Sequence, residues 1–215
     1  MNKQLIDNAI AHIKERFKDE FSGHDYFHSL RVFNLATQIA KKEANVNIEV
    51  VQLAALLHDV DDYKLFSGIA GSNANAREFL AMNNVYATDI ELICDIISKV
   101  SYKGTDTEVH STIEGKIVQD ADRLDAIGAM GIARTFAYGG NRHRTMHDPD
   151  IKPRRNMDFA EYSKSTGTTI NHFYEKLVKL KDMMNTNTAK ELAEGRHNFM
   201  CEFLEEFTGE WDGII

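Results

Sequence analysis

No segment of this chain sustains the period-two alternation of a half-buried strand. Apolar residues instead recur at spacings of three and four, the pattern of helices with one buried face. Only two prolines interrupt 215 residues, so long helical runs meet few breakers. The expectation is an all-α protein with a single domain over residues 1–215, long enough for a sizeable core.

Successive amphipathic helices can be placed along the chain. The first runs from Lys3 to Asp19 and the second from Tyr26 to Glu43. The third, Ile48 to His58, runs into the acidic turn Asp59-Val60-Asp61-Asp62. The fourth covers Asn73 to Asn83, the fifth starts at a capping box of Thr88 with Glu91, and the sixth starts at Ser111 with Glu114 and runs past Asp125. A long polar stretch, Gly139 to Gly167, holds both prolines and reads as a functional or mobile loop. A helix carrying Ile170, Phe173, Leu177, Leu180 and Met184 follows, then a last one starting at Thr188 with Glu191.

Charge and hydropathy narrow the function. A net charge of −8 argues against binding nucleic acid polymers over the general surface. The start MNKQLIDNAI lacks an apolar leader core, and no apolar run approaches the ~18 residues a membrane span needs. A cytoplasmic protein without a membrane partner is expected. Cys94 and Cys201 both fall in apolar helical patterns, where free buried thiols are the usual case.

Three places carry residues suited to a metal. His28, in HDYFHSLRV, shares the core face of its helix with Val32, Leu35 and Ile39. His58 ends an apolar helix, and Asp59 follows it directly, where a buried carboxylate needs a partner or an ion. In IVQDADRLDAIGA, Asp122 and Asp125 share a face while Asp120 points elsewhere, and the apolar flanks require at least one aspartate to point inward. Imidazole plus carboxylate suits Mn, Fe, Ni, Zn or Mg.

The ordered set His28, His58-Asp59 and Asp122 resembles the HD-domain superfamily of metal-dependent phosphohydrolases. Within ADRL, Asp122 matches that family's last metal-ligating aspartate. HDYFHSLRV, LLHDVDDYK, QDADRLDAIGA, FAYGG, TTINHFYEKLVKLKDMMNT and RHNFMCEFLEEF resemble its YpgQ/YedJ-type branch across nearly the whole chain. The resemblance implies an all-helical hydrolase with one divalent ion on His28, His58, Asp59 and Asp122, expected to be Mn²⁺ ahead of Mg²⁺, Ni²⁺, Fe²⁺ or Zn²⁺. Dinuclear members insert two more histidine ligands before the last aspartate; here only His110 lies between Asp59 and Asp122, where a surface or phosphate-facing place is expected.

Around that ion, Asp62 is the leading candidate for the base, with Asp125 as a supporting carboxylate or alternative base. Lys64 and His24 could face substrate, while Asp25 could instead cap its helix. Arg142, Arg144, Lys152, Arg154 and Arg155 gather in one stretch opposed only by Asp148 and Asp150, an anion site in a chain otherwise acidic. Gly139-Gly140 could hinge it. The branch implies a nucleoside or deoxynucleoside triphosphate split to monophosphate and pyrophosphate. A nucleoside monophosphate phosphatase and a non-catalytic nucleotide sensor are the rivals. Apolar helices to spare suggest a homodimer.

Overall fold

The computed structural model describes residues 2–20, 23, 25–62, 73–164 and 166–214. Among them the secondary structure is helical throughout, with no strand: ten α-helices and two short 3-10 helices. No helix among the described residues is long and apolar enough to cross a membrane. The chain groups into two compact units, one formed by residues 1–102 with 107–122 and the other by 103–106 with 123–215.

The first unit holds α1 (Lys3–Arg16), α2 (Tyr26–Ala40), α3 (Ile48–Leu57), α4 (Ala74–Met82), α5 (Ala87–Val100) and the start of α6 (Ile113–Asp125). Helix α3 is its axis. Val50 to Leu57 are all buried, so this helix meets neighbours on every side. Asn2, Asp25 and Asn47 cap α1, α2 and α3 with their side chains.

Two expected caps lie elsewhere. Helix α5 begins at Ala87, before Thr88, and Glu91 closes no box there because both of its carboxylate oxygens accept from Arg77, at 2.5 and 2.9 Å. At α6, Thr112 accepts from the Gly115 amide at 3.2 Å, whereas Glu114 accepts from the Asn47 amide at 2.9 Å and so steadies the start of α3.

The second unit holds the end of α6, α7 (Gly128–Asn141), α8 (Phe159–Ser163), α9 (Thr169–Glu175) and α10 (Asn187–Asp212). Helix α6 stops at Asp125, contrary to the expected continuation. Gly128 takes a φ of 72° there, and Arg196 of α10 donates to the Leu124 carbonyl at 2.5 Å. Phe136, Phe173, Phe203 and Phe207 join α7, α9 and α10, with ring centroids 5.9–6.3 Å apart. The helix expected from Ile170 to Met184 breaks at Lys176 into α9 and a 3-10 helix, Leu177–Met183. The three-residue turn of the latter keeps Leu177 and Leu180 together in the core. Thr186, two residues before the expected Thr188, caps α10.

The polar stretch is less loop-like than expected. Helix α7 extends to Asn141 and α8 takes up residues 159–163, leaving 142–158 irregular. Gly139 and Gly140 are helical. A Cβ on Gly139 would stand 2.3 Å from Thr169 Oγ1, so that glycine permits close packing of α7 on Thr169, and it is no hinge.

Candidate metal centre

The site in the first unit is built from three helices, each presenting its ligand by a different local device. On α2, His28 is wholly buried beside Ser29 and Val32, on the face the apolar pattern sends inward. The Asp25 carboxylate accepts from the His28 amide at 2.8 Å, so its role is the cap that starts the helix just before the ligand.

His58 ends α3. Its Nδ1 lies 2.9 Å from the Ala55 carbonyl, to which it can only donate. That hydrogen bond leaves Nε2 with the lone pair, as a metal ligand requires.

Asp59 is 5% exposed and follows in the turn. Arg16 of α1 steadies this turn by donating to the Val60 carbonyl through Nε and Nη2, at 3.3 and 3.2 Å. Two residues on, the Asp61 carboxylate accepts the backbone amides of Asn75 and Ala76 at 3.1 and 3.0 Å, supplying the cap that the α4 N-cap, Asn73, does not. The acidic run Asp59-Val60-Asp61-Asp62 is therefore divided: Asp59 faces the site, Asp61 caps a helix, and Asp62 is partly exposed.

Asp122 comes from α6. The helix is held by Gln119, whose amide nitrogen donates to the carbonyls of Lys99 and Glu108, both at 2.8 Å, while its oxygen accepts from the His110 amide at 3.2 Å. His110 is buried, against the surface place expected for it. Its ring fills the space that the missing side chain of Gly115 leaves, with Nε2 at 3.1 Å from Asp95 and Nδ1 accepting from the Thr112 amide.

Four donor atoms converge. The Nε2 atoms of His28 and His58 are 3.2 Å apart. Asp59 Oδ2 lies 3.4 Å from each of them. Asp122 Oδ1 lies 3.5 Å from His28 Nε2 and 3.8 Å from His58 Nε2. Two donors about 2.1 Å from one ion stand roughly 3.0 Å apart at right angles and roughly 3.4 Å apart at the tetrahedral angle, so these spacings suit a shared cation. His28, His58 and Asp59 offer ligand atoms within 4.8 Å of one another. Asp122, 25% exposed in its side chain, is the most open of the four.

Electrostatics point the same way. Burial works to lower the pKa of His58. Asp59 through charge and hydrogen bonding, then the charge of Asp122 and the Ala55 carbonyl, outweigh it and bring the imidazole up to about 9. The cluster thus attracts positive charge, a demand that a divalent ion held by His28, His58 and Asp59 would meet.

Asp120 is fully buried. Asp125 is 1% exposed and paired with Arg134 at 2.8 Å. Arg142 and Arg144, in the second unit, lie over the ring of Tyr138, and Arg154 is exposed. His24 and Lys64 lie outside the described residues. Sequence reasoning did not single out Gln119, Asp61 or Arg16. The first left a trace, a polar residue inside the apolar run Ile117-Val118, but Asp61 and Arg16 act on residues 14 to 44 positions away.

An all-helical chain with histidines and aspartates gathered in this order defines a class, the HD-domain hydrolases. The HD domain family matches residues 25–127. The chain belongs to the HD-domain superfamily and is a hydrolase of that superfamily. It is 39% identical to the YpgQ protein of Bacillus subtilis over 198 residues, 91% of this chain and 88% of YpgQ. The crystal structure of YpgQ in complex with ADP superimposes with a TM-score of 0.77 at 37% identity, covering 98% of this chain and 100% of that one. A Lactobacillus plantarum protein gives 0.89 at 39% identity, with 99% of both chains covered. An HD-superfamily hydrolase of Bacillus thuringiensis gives 0.75 at 40% identity, again over 99% of both. HD domains bind divalent metals, and His28, His58 and Asp59 form such a ligand group here.

Proposed function

We propose that this hydrolase uses one divalent ion, Mn²⁺ in preference to Mg²⁺, Ni²⁺, Fe²⁺ or Zn²⁺, to cleave a nucleoside or deoxynucleoside triphosphate to the monophosphate and pyrophosphate. The observation that carries the reading is that the Nε2 atoms of His28 and His58 lie 3.2 Å apart and each lies 3.4–3.8 Å from a carboxylate oxygen of Asp59 and of Asp122. The ADP complex of the related YpgQ supports a nucleotide as the ligand class.

Bound by these four residues, the ion would acidify water and draw off charge from phosphoryl oxygens. The remaining work belongs to the chain. His28 and His58 would offer Nε2 to the ion, and the Ala55 carbonyl keeps the tautomer of His58 correct. Asp59 and Asp122 balance the charge of the ion. Asp62, partly exposed in the turn after Asp59, accepts the proton of the attacking water. Asp125 is committed to Arg134 and holds structure. Arg142, Arg144 and Arg154, with Lys64 and His24, offset phosphate charge. The attack breaks the bond between the α-phosphorus and the bridging oxygen; pyrophosphate leaves with that oxygen and the monophosphate keeps the oxygen of water.

Product analysis tests this. Phosphorus NMR of a reaction with Mn²⁺ and a deoxynucleoside triphosphate should show monophosphate and pyrophosphate in equal amounts. Orthophosphate as the only inorganic product would exclude it in favour of a monophosphatase, and no cleavage across a broad panel of phosphate esters would favour a sensor.

A further inference from the structure

The end of α10 carries charge of the wrong sign for a helix terminus. Beyond His197 the sequence has five acidic side chains, Glu202, Glu205, Glu206, Glu210 and Asp212, and no lysine or arginine. The last turn of the helix holds no basic residue. A helix C-terminus bears partial negative charge and favours cations, so carboxylates gathered there are repelled by it and by one another. None of the five forms an ion pair with a described residue.

Two of these carboxylates line a cavity. Cys201, Leu204, Glu205, Thr208 and Asp212 recur at spacings of three and four, which puts them on one face of α10. That face forms one side of a cavity of about 580 Å³, and Tyr174 of α9 with Val178 of the 3-10 helix forms another. Ile214 completes it. Gly213 turns the chain back with a φ of 64°, and the Ile214 amide donates to the Gly209 carbonyl at 2.9 Å. This turn holds an isoleucine at the cavity although the residue is 76% exposed.

The cavity falls within the roughly 300–1,000 Å³ that small organic ligands occupy. No lysine, arginine or histidine lines it, so its charge is that of Glu205 and Asp212 alone. Apolar walls beside two carboxylates, at the negative end of a helix, complement a molecule with a hydrocarbon body and a positive head. The tyrosine among the walls suits the same head, because an aromatic ring attracts an organic cation. A nucleotide has the opposite charge and would be repelled.

We propose that this cavity is a second ligand site, for an organic ammonium ion, with the hydrocarbon body on Tyr174, Val178, Leu204 and Ile214 and the charged head facing Glu205 and Asp212. The site lies wholly within the second unit and draws on none of the four metal-centre residues. Cys201 makes it observable. It lines the cavity, whereas Cys94, the other cysteine, is buried.

The test is fluorescence titration of the full-length, metal-loaded protein with dansylcadaverine, a primary amine, and with dansylaminohexanoate, which carries the same fluorophore on a carboxylate. The amine should bind at least about tenfold more tightly, by a margin that shrinks as salt rises. E205Q/D212N should weaken the amine about tenfold, at roughly threefold per exposed charge pair, and bring the two probes level. T208W, which sets an indole in the cavity, should remove binding of both probes while its unfolding curve stays that of wild type. Saturating amine should slow alkylation of Cys201 by a maleimide. Equal binding of the two probes by wild type, full amine affinity in E205Q/D212N or in folded T208W, or unhindered alkylation of Cys201 in the presence of amine would each overturn the proposal. Amine binding that falls as protein concentration rises would also overturn it, because a second copy of the chain would then be the occupant.

Discussion

His58 is aimed by a carbonyl one turn behind it, and the same residue reports the charge of the site. Its pKa rises from an ordinary 6.5 to about 9 despite burial, because Asp59 and Asp122 face it. A raised pKa in the folded state contributes stability that is complete below the unfolded value and lost as pH climbs through the folded one. Metal-stripped protein should therefore lose on the order of 3 kcal/mol between about pH 6.5 and 9. With Mn²⁺ bound, the ion replaces that proton and the loss should shrink. Melting curves across this pH range, with and without metal, would show it; a metal-free curve flat over the window would refute the electrostatic account. Asp122→Ala should lower metal affinity by more than the ~100-fold typical of an outer partner and leave the fold intact. Asp125→Ala should instead destabilise by about 3–5 kcal/mol by stranding Arg134 and retain the metal. Full metal content in Asp122→Ala, with loss in Asp120→Ala or Asp125→Ala, would reverse the assignment. The sequence brought His28, His58, Asp59 and Asp122 together as a candidate ligand set through helix faces, motif order and, for Asp122, the family resemblance. It could not carry Asp61 or Gln119, because their hydrogen bonds join residues that only the fold makes neighbours.

Among the elements, helices were legible where their periodicity was strong, and their ends were less so. Thr88 and Ser111 had the composition of caps, yet Glu91 and Glu114 were drawn to Arg77 and Asn47. The break after Asp125 depends on Arg196, distant in sequence, reaching Leu124. The glycine pair at 139–140 read as a hinge because glycine is permissive, but at Gly139 the relevant property is the absence of a Cβ. Gly139→Ala should accordingly destabilise by about 1–3 kcal/mol through overpacking against Thr169, seen as a lower urea midpoint with unchanged slope. A variant as stable as wild type would remove the close-packing explanation.

For the whole molecule, helical content and the absence of any described span long and apolar enough for a membrane followed from composition and period. The ordering of the basic stretch at residues 142–155 did not, since Asn171 and Glu175, which hold it through the Ile151 carbonyl and the Arg154 amide, are unremarkable in sequence until the fold buries them. The most direct measurement of the central claim is hydrolysis by metal-stripped protein titrated with Mn²⁺. Activity should be absent without metal, rise linearly and saturate at about one equivalent per chain, the capacity of a four-ligand site. Full activity in the metal-free protein, or saturation only at two equivalents, would contradict a single ion held by His28, His58, Asp59 and Asp122.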